Sequence, residues 1–172
     1  METNTISESK AKLNRPYALA VVSLTILLPA LSVFLEWKLR GGPLTSLALT
    51  GKWFIFWAVG VRQFTAGLRQ VINPAFTAKD IFHIEDTASH TIVKELGFAN
   101  ICFGAVGIIS LFLPAWRIVS AFGSGLFFGI AGINHIAKKP ASPNEALALV
   151  SDLFIFVGLL LFVAEQTSGI HG

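Results

Sequence analysis

A long apolar run near the N-terminus sets the class of fold open to this chain. From Tyr17 to Trp37 no charged residue occurs before Glu36. About 20 mainly apolar residues are enough for a helix to cross the hydrocarbon core of a bilayer. The run is too long for the core of a signal peptide, and no small-residue cleavage pattern follows it. It therefore predicts a transmembrane helix that is retained, with a kink at Pro29.

The composition extends this prediction to the whole chain. Of the 172 residues, 53% are hydrophobic and 13% are charged, against about 25% charged residues in ordinary soluble domains. The mean hydropathy is +0.68. The 15 Phe and 4 Trp exclude a disordered chain, and a single cysteine, Cys102, excludes a disulfide scaffold. We therefore expect an all-α, polytopic transmembrane bundle in contact with the lipid bilayer, in which the net charge of +3 is a topology signal and not a nucleic-acid footprint.

The hydropathy pattern predicts five spans within one helical domain at 16–167. They are expected at 17–37, 52–72, 94–113, 116–137 and 144–165, between an N-terminal tail at 1–15 and a C-terminal tail at 168–172. Pro74 ends the second span, since the residue before a proline disfavours helix. Residues 74–93 are too polar to cross a bilayer and predict a loop with a short helix. Residues 44–50 are either interfacial or an extension of the second span.

The basic residues predict the orientation. With a cytoplasmic N-terminus, eight basic residues fall on the inner side and four on the outer side. The inner set is Lys10, Lys12, Arg15, Arg69, Lys79, Lys94, Lys138 and Lys139, and the outer set is Lys38, Arg40, Lys52 and Arg117. The positive-inside rule therefore favours a cytoplasmic N-terminus in a bacterial cytoplasmic membrane.

Small residues predict where the helices meet. Lipid supplies no hydrophobic force between helices, so glycines allow their backbones to approach closely. One stripe lies on the third span and one on the fourth. They consist of Gly97, Asn100, Gly104 and Gly107, and of Gly125, Gly129 and Gly132.

Polar residues from four segments converge on the inner half of the predicted bundle. Ionisable groups inside a bilayer cost roughly 2.5–3.5 kcal/mol each on insertion scales, so they face a partner or a cavity. The set is Arg62, Arg69, Glu95, Asn100, His135 and Asp152. A purely structural explanation stands beside a functional one, with Arg69 paired to Glu95 or Arg62 paired to Asp152.

Two chemistries fit these residue types. A transition-metal site would draw on His83 and His90 together with Glu95, His135 and Asp152, because imidazole and carboxylate suit iron, zinc or manganese. A metal-free pocket would instead use Arg62, Arg69 and Asn100 to bind oxygen atoms of a substrate, while Glu95, His135 or Asp152 moves protons. Both alternatives stay open at this point.

The segment Glu95-Leu-Gly-Phe-Ala-Asn100 is followed by Gly104 and Gly107, by a Gly-Ile-Asn-His-Ile run ending at Ile136, and by Ser151-Asp152. In this combination the chain resembles a family of uncharacterised bacterial integral membrane proteins that is distantly similar to the DoxX-like membrane proteins. The resemblance covers about residues 52–165 and implies a four-helix unit with an added N-terminal helix. DoxX-like relatives are associated with quinone-linked redox systems, which implies a quinone ligand by fold-level analogy alone.

The leading hypothesis is therefore a small membrane protein that performs redox or acid–base chemistry on a lipophilic, quinone-like molecule. In it, Glu95 and His135 handle protons and Asp152 orients His135 or joins a metal. A hypothesis of a different class is a non-catalytic carrier or an accessory subunit of a larger membrane complex. A homo-oligomer is compatible with either.

Overall fold

The computed structural model of the chain describes residues 12–40 and 47–168. Within these two ranges the chain is helical apart from short connections and contains no strand, which confirms the predicted all-α bundle. The expectations for most of the N-terminal tail, for the Gly41-Gly42-Pro43 break with residues 44–46, and for residues 169–172 lie outside the described residues.

Five long helices and a short one build the described part of the bundle. Along the chain they are α1 (Arg15–Arg40), α2 (47–72), α3 (74–81), α4 (Ser89–Ile109), α5 (Trp116–Lys138) and α6 (Pro143–Ser168). Three segments within them wind as π-helix, namely Ser23–Leu27 in α1, Ile55–Val61 in α2 and Thr77–Ile81 in α3.

Within the described ranges, four helices are long and apolar enough to cross a membrane, and these are α1, α4, α5 and α6. The second predicted span, now α2, is not among the four, and it carries Lys52, Arg62 and Arg69. Residues 47–50 belong to α2, and the predicted polar loop contains the short helix α3. Large apolar side chains such as Leu19 and Leu161 are exposed on the outside of the bundle. Four such helices with apolar outer faces indicate a membrane protein in contact with lipid.

Helices α2 and α4 touch backbone to backbone because glycines face each other across their interface. A Cβ atom added to Gly107 would lie 2.7 Å from the Cα atom of Gly60. One added to Gly67 would lie 2.6 Å from the carbonyl oxygen of Gly97. No larger residue fits this approach, which is how small residues bring membrane helices together. The glycine stripe predicted on the third span is therefore confirmed as a helix contact.

Helices α5 and α6 form a second close pair. On α5, Gly129 faces the ring of Phe156 and Gly132 faces the side chain of Leu153, both on α6. These contacts confirm the stripe predicted on the fourth span. The two helix pairs are joined by an apolar core, in which Ile55 of α2 and Leu159 of α6 are fully buried.

The first turn of α1 is fixed beside the first turn of α6. The side-chain oxygen of Asn14 accepts the backbone N–H of Tyr17 at 3.0 Å, which caps α1. The backbone N–H of Asn14 donates to Oδ1 of Asn144 at 2.8 Å. Towards the opposite end of α1, Glu36 pairs with Lys52 of α2. The beginnings of α1 and α6 and the ends of α2 and α5 therefore share one end of the bundle.

Candidate functional site

A cavity of about 640 Å³ lies at this shared end of the bundle. All six helices contribute to its wall, and much of the wall is apolar, with side chains such as Val21, Leu24, Phe127 and Ile130. The polar side chains of the wall are those of Tyr17, Arg62, Gln63, Thr65, Arg69, Gln70, Thr77, Asn100, Asn134, His135 and Asp152. The volume falls within the range of roughly 300–1,000 Å³ that small-molecule pockets occupy.

An ion pair between α2 and α6 forms part of the wall. Nη2 of Arg62 donates to Oδ1 of Asp152 at 3.0 Å and to Oγ of Ser151 at 2.8 Å. The two charged side chains are each only 12% exposed. The guanidinium group also lies over the ring of Phe128, 5.1 Å from its centre. The predicted pairing of Arg62 with Asp152 is therefore present. Each of the two side chains neutralises the buried charge of the other.

Two amide side chains in the wall carry buried polar atoms that have no hydrogen-bond partner within residues 12–40 and 47–168. Gln63 is 2% exposed, and neither its Oε1 nor its Nε2 atom is hydrogen-bonded. Asn100 donates from Nδ2 to Oε1 of Gln70 at 2.8 Å, but its own Oδ1 has no partner. A buried polar atom left unpaired costs about 1–3 kcal/mol. The wall of the cavity thus contains one buried amide donor group and two buried acceptor atoms without partners.

An aromatic stack closes the wall between α1, α2 and α3. The guanidinium carbon of Arg69 lies 3.6 Å from the ring centre of Phe76. The ring of Phe76 in turn lies 5.7 Å from that of Tyr17, centre to centre. Arg69 is exposed, and the alternative pairing with Glu95 is not among the ion pairs of residues 12–40 and 47–168.

Two histidines share one carboxylate at the edge of the cavity. Nδ1 of His135 lies 3.2 Å from Oε1 of Glu145, and Nε2 of His83 lies 3.3 Å from Oε2 of the same residue. Oε2 also accepts the backbone N–H of Ala141 at 2.8 Å. Glu145 and His135 are buried, whereas His83 is exposed. The carboxylate therefore joins a surface histidine to one that lines the cavity.

Each of the three π-helical segments borders the cavity. Leu24 lies inside the first, Arg62 follows the second directly, and Thr77 begins the third, and all three residues are part of the wall. Single π-helical turns within α-helices occur frequently at functional sites. Their position here marks the cavity as the part of the bundle where helix geometry departs most from regularity.

The structure brings together most of the residues that the sequence predicted for binding and proton transfer. Arg62, Arg69, Asn100, His135 and Asp152 all line the cavity.

Glu95 does not join them, because it is exposed on α4 and lies outside the wall. It precedes the buried Gly97 by two residues, which is a rotation of about 200° around the helix axis. Its side chain therefore lies on nearly the opposite face of α4 from the glycine seam.

The two loop histidines proposed for a metal site, His83 and His90, have different surroundings. His83 contacts Glu145, whereas His90 is half-buried at the start of α4, and one of its ring nitrogens, Nε2, has no partner. Among the residues that the structure describes, no three His, Cys, Asp or Glu side chains form a group that could hold a metal ion.

Gln63, Tyr17 and Glu145 were not among the predicted site residues. Glu145 lies in the first turn of α6, where an acidic side chain is favourable. The pattern Ser142-x-x-Glu145 resembles a capping box, and the hydroxyl of Ser142 does accept the backbone N–H of Glu145 at 3.2 Å. Only the folded chain reveals that the carboxylate additionally contacts two histidines.

The fold and this cavity define a helical membrane protein whose bundle carries a partly polar, half-open cavity near one end. The chain belongs to the DUF6790 family, described as a family of unknown function, whose match extends over residues 15–169 and so includes all six helices. No curated protein and no solved structure matches the chain.

Proposed function

We propose that this protein binds a lipophilic small molecule with an oxygen-bearing head group, of the quinone kind, and supports acid–base chemistry on it. The observation that carries the proposal is Gln63. Its amide is almost fully buried, lines the cavity, and has no partner for either polar atom. Native proteins pair nearly all such groups, so an unpaired amide beside a cavity of ligand size favours a ligand as the missing partner.

The two kinds of wall suit the two parts of such a molecule. The apolar side chains of α1 and α5 favour a hydrocarbon ring or tail. Nε2 of Gln63 can donate to a carbonyl oxygen, and Oδ1 of Asn100 can accept from a hydroxyl group. The charge of Arg62 is already matched by Asp152, which favours a neutral head group over an anionic one. His135 is the side chain best suited to exchange a proton with a bound oxygen.

The proposal includes the orientation and the location. The cavity end carries Lys12, Arg15, Arg69, Lys79, Lys94, Lys138 and Lys139, against Lys38, Arg40, Lys52 and Arg117 at the other end. The positive-inside rule then favours a cytoplasmic N-terminus and a cavity in the cytoplasmic half of a bacterial inner membrane. A kinship with DoxX-like proteins would agree with a quinone ligand, by analogy of fold alone.

The test measures binding and stability on the same variants. Gln63→Met keeps the unbranched length of the side chain and removes both polar atoms. Gln166→Met, at an exposed position of α6, is the matched control. In nanodiscs, we expect Gln63→Met to weaken the binding of a decyl-substituted benzoquinone by about tenfold, which corresponds to one lost hydrogen bond of about 1.4 kcal/mol.

The same substitution should raise the free energy of unfolding of the empty protein, because it removes an unsatisfied donor and acceptor from a buried position. A purely structural Gln63 predicts the reverse, with lower stability and no effect on the quinone. Wild-type affinity in Gln63→Met would refute the proposal. If the wild-type protein binds no quinone and instead purifies with a membrane partner, the hypothesis of an accessory subunit of a larger membrane complex is favoured.

A further inference from the structure

Three titratable side chains form a continuous chain from the protein surface to the cavity. Nε2 of His83 lies 3.3 Å from Oε2 of Glu145, and Oε1 of Glu145 lies 3.2 Å from Nδ1 of His135. The exposed fraction of the side chain falls from 40% at His83 to 6% at Glu145 and 9% at His135. His135 is part of the cavity wall. The chain therefore has one end in water and the other beside the proposed ligand.

The middle residue of the chain is held in place from several sides. The backbone N–H of Ala141 donates to Oε2 of Glu145, and the backbone N–H of Glu145 donates to Oγ of Ser142. The hydroxyl of Ser142 donates in turn to the backbone carbonyl of Asp80 at 3.4 Å. These bonds tie the start of α6 to the end of α3, which lies two residues before His83. The two links of the chain are thus positioned by backbone, and not by flexible side chains alone.

The backbone of His83 is strained in a way that supports a functional role. Its φ angle is 57°, in the left-handed region that side chains other than that of glycine adopt at a cost of roughly 1–2 kcal/mol. Such strain persists where the surrounding structure enforces it, and it clusters at functional sites. Here it accompanies the placement of the His83 ring against Glu145.

Other charged groups near the chain are paired or directed elsewhere. Lys79, on the helix that precedes His83, pairs with Glu85 at 3.2 Å. Asp152, two turns beyond Glu145 on α6, pairs with Arg62 and is also close enough to His135 for their charges to interact. Lys138 and Lys139 follow His135 and are exposed. Glu145 has no Lys or Arg ion-pair partner among the described residues, so the two histidines are the groups that exchange protons with it most directly.

We infer that His83, Glu145 and His135 form a proton relay between water and the cavity. A proton taken from water by His83 passes from its Nε2 to Oε2 of Glu145. Rotation of the carboxyl group, after which Oε1 takes the place of Oε2 as the acceptor of the Ala141 N–H, then presents that proton to Nδ1 of His135. The other ring nitrogen of His135 releases a proton to an oxygen of the bound molecule. The reverse sequence removes a proton from the cavity. No electrons move in these steps, and only the last step rests on the proposed function.

The test uses the full chain in nanodiscs, with isotope-labelled histidine, and requires no ligand. It measures by NMR the rate at which the ring N–H of His135 exchanges with water, after the His135 signal has been assigned by its loss in His135→Gln. Glu145→Gln keeps the shape of the side chain and the acceptor for Ala141. His83→Asn removes the ring but suits the left-handed backbone. His90→Asn is the matched control, because His90 lies outside the relay.

We expect the exchange at His135 to slow by about a hundredfold in both Glu145→Gln and His83→Asn, the scale on which a positioned proton carrier acts. His90→Asn should exchange as the wild-type protein does. His83→Asn should also unfold at least as late as the wild-type protein, which separates loss of the relay from loss of structure. Wild-type exchange at His135 in either relay variant would overturn the inference.

A second measurement separates this inference from the proposed function. A hydroxynaphthoquinone, whose absorption reports its ionisation, is bound to the protein in its neutral form at low pH and then subjected to a jump to higher pH. The relay predicts a slower spectral response in both relay variants than in the wild-type protein and in His90→Asn. If the probe does not bind, the proposal of a quinone-like ligand is contradicted. The rate at which the ring N–H of His135 exchanges with water still decides for or against the relay.

Discussion

The glycine seam between α2 and α4 allows a stability effect to be worked out from two distances. In Gly107→Ala, the new Cβ atom would lie 2.7 Å from the Cα atom of Gly60, whereas ordinary contacts of a Cβ atom begin at 3.4 Å. Both groups belong to helix backbone, so neither can turn aside. The helices must separate locally by about 0.7 Å, and overpacking of this kind typically costs about 1–3 kcal/mol.

A matched substitution separates this cost from the helix propensity of alanine. In Gly125→Ala, the new Cβ atom would lie 3.5 Å from Cβ of Leu159, which is an ordinary contact. Alanine is favoured over glycine within a helix by about 1 kcal/mol at either position. That gain cancels when the two variants are compared. We therefore expect Gly107→Ala to be less stable than Gly125→Ala by about 1–3 kcal/mol.

Reversible unfolding in mixed micelles with increasing dodecyl sulfate, followed by circular dichroism, measures this difference. Equal midpoints for the two alanine variants would refute the packing argument, since they would mean that the seam is not tight in the folded protein. The binding of decyl-substituted benzoquinone provides a second test of whether α2 and α4 separate. Gly60 lies only three residues before Gln63, so separation of α2 from α4 should also weaken quinone binding in Gly107→Ala.

Three further predictions use the same preparations. Asp152→Asn should destabilise the protein by about 3–5 kcal/mol because it leaves the charge of Arg62 uncompensated. The double variant Arg62→Met with Asp152→Leu should unfold close to the wild-type midpoint. Equal losses of stability in the single and the double variant would contradict the pairing argument. Glu95→Gln should change neither the unfolding midpoint nor the quinone affinity, because Glu95 is exposed and lies outside the cavity. Weaker quinone binding by this variant would show that Glu95 belongs to the site after all. In a Cys102→Ser background, Lys139→Cys should react with a membrane-impermeant maleimide in inside-out vesicles only, and reaction in right-side-out vesicles would reverse the orientation.

The sequence was sufficient to predict the helical bundle because length and hydropathy dominate in lipid. An apolar run such as the one that begins at Tyr17 has few alternatives to a helix, and glycine stripes mark close contacts wherever they occur. Helix boundaries were less predictable. The structure begins α4 at Ser89, five residues before the predicted start of the span, after Asp86, whose side chain accepts the backbone N–H of Ala88 at 2.9 Å.

The candidate site was predictable in part, for a physical reason. Arg62, His135 and Asp152 stand out because charge is rare and costly in an apolar chain. Gln63 does not stand out in this way, since a neutral amide inside a span is an ordinary helix contact until its partners are counted. Glu95 was favoured because it is acidic and begins a predicted span. Its position on the outer face of α4 follows from the rotation of about 200° between Glu95 and Gly97, which packs against α2.

The two buried carboxylates of α6, those of Glu145 and Asp152, link the stability of the bundle to the shape of most of this cavity, although not to every residue of its wall. Glu145 and Asp152 are seven residues apart, about two helical turns, and so lie on one face. Each is held by a group from a neighbouring helix, Glu145 by His135 of α5 and Asp152 by Arg62 of α2. Lipid provides no hydrophobic force between these helices, so the same contacts that shape the wall also help to hold the bundle together. Gln63 contributes no such contact, because neither of its polar atoms has a partner. Its amide is therefore the feature of the cavity that packing explains least and a ligand explains best.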